Sequence, residues 1–179
     1  MTLTIAEPMT KNRLTDQDWQ ASNTTSPLPA WATLTAAVVA RREFRFPFHQ
    51  GELMVEIVGE PPPWVEPTVQ SLGKLLELGS DWDSYGGSPI DPRCVAAALD
   101  LIFGTLPHDA PVPSVVPTSG GGVQIEWHTR GVDLEVELLS ATRVCGLFED
   151  AISGSSWEKD LSFDLRPFVD AISTLCQRR

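Results

Sequence analysis

Carboxylates are the side chains best placed to do chemistry in this sequence, and they gather in two stretches. The first is residues 81–91, Asp-Trp-Asp-Ser-Tyr-Gly-Gly-Ser-Pro-Ile-Asp. Its opening matches an EF-hand calcium loop, with Asp81 and Asp83 at positions one and three and Gly86 at position six. The match then fails. Position five is Tyr85, position twelve is Pro92 in place of a bidentate glutamate, and Asp91 comes one residue early. The ring of oxygens is incomplete, so no metal site is expected. Asp81 and Asp83 also have the spacing of an Asp-x-Asp phosphotransferase nucleophile. That chemistry wants the pair at the end of a buried parallel strand, whereas here it follows a helix stop with no strand–helix alternation around it. A structural reading is more economical. Trp82 and Tyr85 are large anchors that can plug the gap between two helices and a sheet. Gly86 and Gly87 allow backbone angles closed to other residues, and Asp83 can accept bonds from the turn's own amides. Trp82, Asp83, Tyr85, Gly86 and Gly87, with Trp127 beyond them, are therefore expected to form a structural hinge.

The second stretch is Glu126, Asp133, Glu135 and Glu137. These acids alternate with Ile125, Trp127, Val132, Leu134 and Val136 in two strands with one apolar face. Matching the apolar faces sets Trp127 opposite Val132, Ile125 opposite Leu134 and Val123 opposite Val136, around a four-residue loop ending at Gly131. Glu126 then faces Asp133. Like charges directly opposed are unfavourable. A solvated face tolerates this at small cost, and Arg130 and Arg143 could soften it from within the chain. The functional alternative is a docking surface for lysine or arginine. A paired-carboxylate hydrolase would need one acid with a raised pKa in a cleft, which an open sheet face does not provide.

Other nucleophiles and ligands are scattered. Cys94, Cys145 and Cys176 form no C-x-x-C and read as reduced thiols of a cytoplasmic protein. His49, His108 and His128 stand alone, without H-E-x-x-H, and no G-x-S-x-G elbow supports a serine triad. Gly120-Gly121-Gly122 lacks the Lys-Ser/Thr of a phosphate loop and reads as a hairpin turn. No catalytic residue, metal or cofactor is expected.

The elements that must hold these groups follow from the apolar pattern. Residues 1–30, rich in Thr, Ser, Asn and Pro, read as a flexible arm. Residues 31–64 read as a short helix over 33–42, with Arg41 and Arg42 at its end, and then a β-hairpin whose first strand is an edge because of Pro47. The sequence leaves open whether this unit shares the core of residues 65–179. That core begins with a helix over 67–78. A second helix, capped by Asp91 with Pro92 at its first position, carries Val95, Ala98, Leu99 and Ile102 on one face. Strands follow at 114–117, 123–128, 132–138 and 143–149, then a flexible link at 154–156. A last helix has Asp164 as its cap and buries Leu165, Phe168, Ile172 and Leu175. The expected fold is α+β: an antiparallel β-meander of three to five strands, packed on one face by two or three helices.

The chain has 179 residues, with 24 Asp plus Glu against 13 Lys plus Arg and a formal charge of −11. Such a balance repels phosphate backbones and anionic lipid, so direct nucleic-acid and membrane binding are not expected, while a basic protein partner would suit it. The start lacks the basic and apolar regions of a signal peptide, and no apolar run is long enough to cross a bilayer.

Asp81-Trp82-Asp83-Ser84-Tyr85-Gly86-Gly87, then Pro89, a helix, a Pro-rich link, a glycine turn and Gln124-Ile125-Glu126-Trp127, resemble a set of small uncharacterised bacterial proteins. Those carry a Trp-Asp-Gly-Tyr-Gly-Ala-like segment, a helix and a Glu-Trp strand. The likeness covers residues 72–150, with Ser84 and Gly87 departing from the commoner Gly and Ala. It implies a bacterial cytoplasmic protein with a hinge–helix–sheet order, and brings no functional residue with it. Three functions are expected from these observations. The leading one is a non-enzymatic accessory protein that binds a basic partner through Glu126, Asp133, Glu135 and Glu137. An antitoxin-like inhibitor masking a basic surface is a narrower form. A metal-dependent hydrolase using Asp81, Asp83 and Glu126 is the rival.

Overall fold

Strict alternation of apolar and charged residues builds the larger of two antiparallel sheets. In β5 (Val123–Thr129) and β6 (Val132–Ser140), Val123, Ile125, Trp127, Val132, Leu134, Val136 and Leu138 are all buried, and the residues between them face away. With β4 (Ser114–Pro117), β7 (Arg143–Asp150) and β8 (Ser156–Asp160), these strands form a five-stranded meander in chain order. The structure, a computed structural model, describes residues 2–6 and 40–178. Among the described residues, three helices accompany the sheets: α1 (Val65–Leu75), α2 (Pro92–Thr105) and α3 (Arg166–Gln177). The α+β meander read from the sequence is the observed architecture.

The helices lie on the apolar side of the meander. Helix α2 packs on β5 and β6. Its start is the one the sequence announces: Pro92 holds the first position and Asp91 Oδ1 accepts the Arg93 amide at 2.8 Å. Helix α3 meets β5 through Phe168, whose ring centroid is 6.0 Å from that of Trp127. Asp164 Oδ1 accepts the Arg166 amide at 3.0 Å, while Leu165 occupies the cap position itself. Helix α1 ends at Leu75, short of the expected Leu78. There the Leu76, Glu77 and Leu78 amides turn back to the carbonyls of Gly73, Lys74 and Leu75 in a tighter coil.

A three-stranded sheet, ordered β1-β3-β2, joins β1 (Thr2–Ala6), β2 (Arg41–Phe48) and β3 (Gly51–Val58). Pro47 does sit on an edge strand. Two expectations are corrected. Residues 2–6 pair antiparallel with β3 and are not part of a loose arm, because β3 offers them an open backbone edge. Arg41 and Arg42 belong to β2 and not to a helix, since Arg41 pairs with Val58 and Arg42 with Ile57. The remainder of the arm and of that helix lies outside the described residues. Leu53, Val55 and Ile57 join the same buried cluster as the helices and the larger sheet, so the hairpin shares one core with the rest of the described chain.

Two further corrections concern the meander. An unforeseen strand, β8, begins at Ser156, the last residue of the expected link, and pairs with β7 from Glu149↔Ser156 to Cys145↔Asp160. Its sequence is Ser-Trp-Glu-Lys-Asp, and only Trp157 is apolar, stacked on Phe148 at 5.7 Å. Backbone bonds hold this edge with almost no apolar signal. The β5–β6 register is also two residues from the expected one: Trp127 faces Leu134, Glu126 faces Glu135 and His128 faces Asp133. The connection is a two-residue turn in which Arg130 and Gly131 have φ of 57° and 71°. That hand of turn matches strand twist, so the shortest loop wins over the longer one. The strain at Arg130 is offset by its guanidinium, which donates to the Leu175 carbonyl at the end of α3 at 3.1 Å. Arg130 is therefore turned away from the acidic residues.

A partly buried ion pair locks the same end. Arg178, just past α3, bonds both carboxylate oxygens of Asp150 at 2.7 and 2.5 Å, and the Ser153 hydroxyl donates to it as well. The Arg178 guanidinium, then the Ser153 hydroxyl, hold the Asp150 carboxyl far below the usual carboxylate range. A depressed folded-state pKa contributes stability that is complete above the ordinary range and lost as pH falls through it toward the folded value. The stability gap between wild type and Asp150→Asn in urea unfolding is expected to stay constant down to about pH 5 and to shrink below about pH 4. A gap that does not change with pH would show that the pair contributes nothing by its charge.

Candidate functional site

The outward residues of β5 to β8 form three rows across the meander. Gln124, Glu137, Cys145 and Asp160 make one, and Glu126, Glu135, Leu147 and Glu158 the next. His128, Asp133, Glu149 and Ser156 complete the third. The alternation that buries the core therefore sets carboxylates from four adjacent strands on one surface. Glu126, Asp133, Glu135 and Glu137 all lie on it, as the sequence implies. The sequence reading missed Glu149, Glu158 and Asp160, because β7 also carries Cys145 and Leu147 on that face and β8 has almost no apolar pattern. Gln124 and His128, which alternate with the same apolar residues of β5, sit among the acids and bond to them.

Those two residues explain how the face tolerates itself. Glu126 and Glu135 are directly opposed. The Gln124 side-chain amide donates to Glu126 Oε1 at 2.8 Å and to Glu135 Oε2 at 3.0 Å, bridging the like charges. From the other side, His128 Nδ1 lies 2.9 Å from Asp133 Oδ1, while Nε2 lies 3.4 Å from Glu126 and 4.0 Å from Glu135. The hydrogen bond to Asp133 leads the effects that raise the His128 pKa, and Glu126 adds to it. Gln124, Glu135, Glu137, Cys145, Leu147 and Glu158 surround a shallow hollow of about 170 Å³. Its apolar floor has an acidic rim. Arg143 stands near Asp160 and helps keep that carboxyl below its usual range, after the Ser162 hydroxyl and amide.

The hinge folds on itself. Asp83 Oδ1 accepts the amides of Tyr85 at 2.9 Å and Gly87 at 2.8 Å, and Asp81 Oδ1 accepts that of Gly86 at 2.8 Å. The Tyr85 and Gly87 amides hold the Asp83 carboxyl below its usual range. Asp81 and Ser84 take φ of 63° and 62°, left-handed angles that this bonding sustains. A side chain at Gly87 would come within 2.8 Å of Trp82 Nε1 and 2.9 Å of the Asp83 carboxylate, so those two side chains would have to shift to admit one. The loop is stapled to the glycine turn by Ser88 N to Ser119 O and Asp91 N to Gly121 O, both 2.9 Å.

The hinge aromatics require a correction. Tyr85 is 95% exposed, and Trp82 is half-buried with Nε1 donating to the Ser88 carbonyl at 3.0 Å. Neither wedges helices onto the sheet, because the loop closes through its own amides and lifts the tyrosine into solvent. That packing is done by Trp127 and by Trp64, which the sequence reading passed over. Trp127 is 2% exposed and donates to the Pro111 carbonyl, and Trp64 is 1% exposed and donates to that of Pro107, each at 2.9 Å. Both clamp the connector from α2 to β4.

Asp81, Asp83 and Glu126 have separate partners. The two aspartates bond backbone amides of their own loop, and Glu126 belongs to the Gln124–His128 network. Among the described residues, no group of three or more His, Cys, Asp or Glu has the arrangement of a metal centre. A larger cleft of about 770 Å³ lies elsewhere, between the β2–β3 turn at His49, the end of α1 and the start of α2 at Asp91. No helix among the described residues is long and apolar enough to cross a membrane. No protein-family model matches the chain, and comparisons with curated proteins and with solved structures also find no match.

Proposed function

We propose that this is a non-enzymatic accessory protein that docks a basic protein partner on the outer face of the five-stranded sheet. One observation carries the reading: the two sheets treat their outward charges differently. On the small sheet they are paired, Arg41 with Glu56 at 3.0 Å and Arg45 with Glu52 at 3.2 Å and with Glu43. On the meander Glu126, Asp133, Glu135, Glu137, Glu149 and Glu158 form no ion pair with lysine or arginine among the described residues. Unneutralised acids around an apolar floor suit lysine or arginine side chains. Their aliphatic stems can lie on Leu147 and Cys145 while their heads reach the rim. An inhibitor that masks a basic surface makes the same demand, and is a narrower form of this reading. The hydrolase reading draws no support from Asp81 and Asp83, whose carboxylates serve their own loop.

Titration calorimetry with an oligolysine peptide tests the proposal. Wild type is expected to bind, with affinity falling as salt is added. The triple variant Glu126→Gln, Glu135→Gln, Glu137→Gln is expected to lose roughly tenfold or more in affinity. Its melting temperature should be equal or higher, because an opposed pair of like charges has gone. Equal binding by both proteins would refute the docking face.

A further inference from the structure

His128 stands near the turn end of β5, at a corner of the acidic face, beside carboxylates that its own strand and β6 present. Its own strand supplies Glu126, and β6 supplies Asp133 and Glu135. Glu149 of β7 lies one step beyond, paired with Asp133. Strand β4 presents nothing to it, because the β4–β5 ladder ends at Ser114↔Glu126. Arg130, the cation nearest in sequence, is held by the α3 carbonyl. Among the described residues, the imidazole, when protonated, is thus the cation that meets these three acids. An arriving lysine or arginine must compete with it for the same oxygens.

We propose that His128 is a proton-operated latch on the docking face: protonated, it occupies Glu126, Asp133 and Glu135 from within, and neutral, it yields them to a cationic partner. This rests on the docking reading and deepens it by naming its regulation. The physical basis is linkage. A proton on His128 and a partner's cation use one set of carboxylates, so each weakens the other by the same factor. The carboxylates also raise the His128 pKa above the ordinary histidine value, the hydrogen bond to Asp133 first among them. A raised folded-state pKa gives stability that is complete below the ordinary histidine value and lost as pH rises through the folded one. The free protein therefore loosens slightly at the pH where the face becomes available.

Calorimetry with oligolysine, repeated in buffers of different ionisation enthalpy, reads both sides of the linkage. Wild-type affinity is expected to rise roughly fivefold between about pH 5.5 and about pH 8, with a fraction of a proton released on binding near the midpoint. His128→Gln keeps a polar side chain beside Asp133 but cannot titrate. Its profile should be flat, with no proton released. His49 and His108 are unchanged in that variant, so the difference between the profiles belongs to His128. Equal pH dependence and proton release in both proteins would overturn the latch while leaving the docking face standing. Absence of oligolysine binding by either protein at every pH would overturn the docking face and the latch with it. Nuclear magnetic resonance titration of the wild-type imidazole gives a reading that needs no variant. A midpoint at or below that of an unfolded histidine would also overturn the proposal.

Discussion

Replacing Trp127 by alanine is expected to lower the unfolding free energy by about 3–5 kcal/mol, and Tyr85→Ala to change it by less than about 0.5 kcal/mol. The two rings look alike as anchors in the sequence, but their surroundings differ. Trp127 is 2% exposed, packs on Phe168 and donates to the Pro111 carbonyl. Its loss would open a cavity between β5 and α3 and leave that carbonyl without its partner. Tyr85 is 95% exposed, and its place in the loop depends on its backbone amide. Trp127→Phe separates the causes: it keeps an aromatic ring but removes the donor, and is expected to cost about 1–3 kcal/mol. Chemical denaturation followed by circular dichroism measures all three. A cost below about 1 kcal/mol for Trp127→Ala would mean that the ring is not part of the core.

Gly73→Ala is expected to destabilise the protein by about 1–3 kcal/mol, although alanine is the better helix former. On an exposed helix this exchange would gain up to about 1 kcal/mol, so the sign of the result is diagnostic. A β-carbon at Gly73 would lie 2.0 Å from Phe46 Cδ1 and Cε1 and 2.6 Å from Cγ. The ring must then swing out of the contact that joins β2 to α1, and its stacking on Phe44, at 6.4 Å, goes with it. Pairing Gly73→Ala with Phe46→Leu should recover part of the loss, because the smaller side chain makes room for the new methyl. Thermal unfolding of the two single variants and the double one checks this. If Gly73→Ala raises the melting temperature, the close approach of α1 to β2 is wrong.

Where one periodicity dominates, the sequence was explicit. Alternation in β5 and β6 gave both the buried side and the acidic side, because a strand's side chains have no third direction. Asp91-Pro92 marked the start of α2, since capping is settled within one turn of chain. The acidic face was legible for the same reason: Glu126, Asp133, Glu135 and Glu137 are displayed by the residues between them.

Partnership was beyond the sequence's reach. Strand β8 has little apolar pattern and exists because β7 offers it a ladder. The two-residue turn at Arg130-Gly131 moved every β5–β6 pair by two places without changing either face, since a shift of two preserves the side-chain direction. That shift set His128 against Asp133 and left Glu126 facing Glu135 across the Gln124 bridge. Which aromatic holds the core was decided likewise. Trp82, Tyr85, Trp64 and Trp127 are all large aromatics with a polar tip, and burial fell to the two that the fold carries against the α2–β4 connector. Spacing along the chain determined which side chains share a surface. Their neighbours across that surface, and hence their charge balance, depended on contacts between segments far apart in sequence.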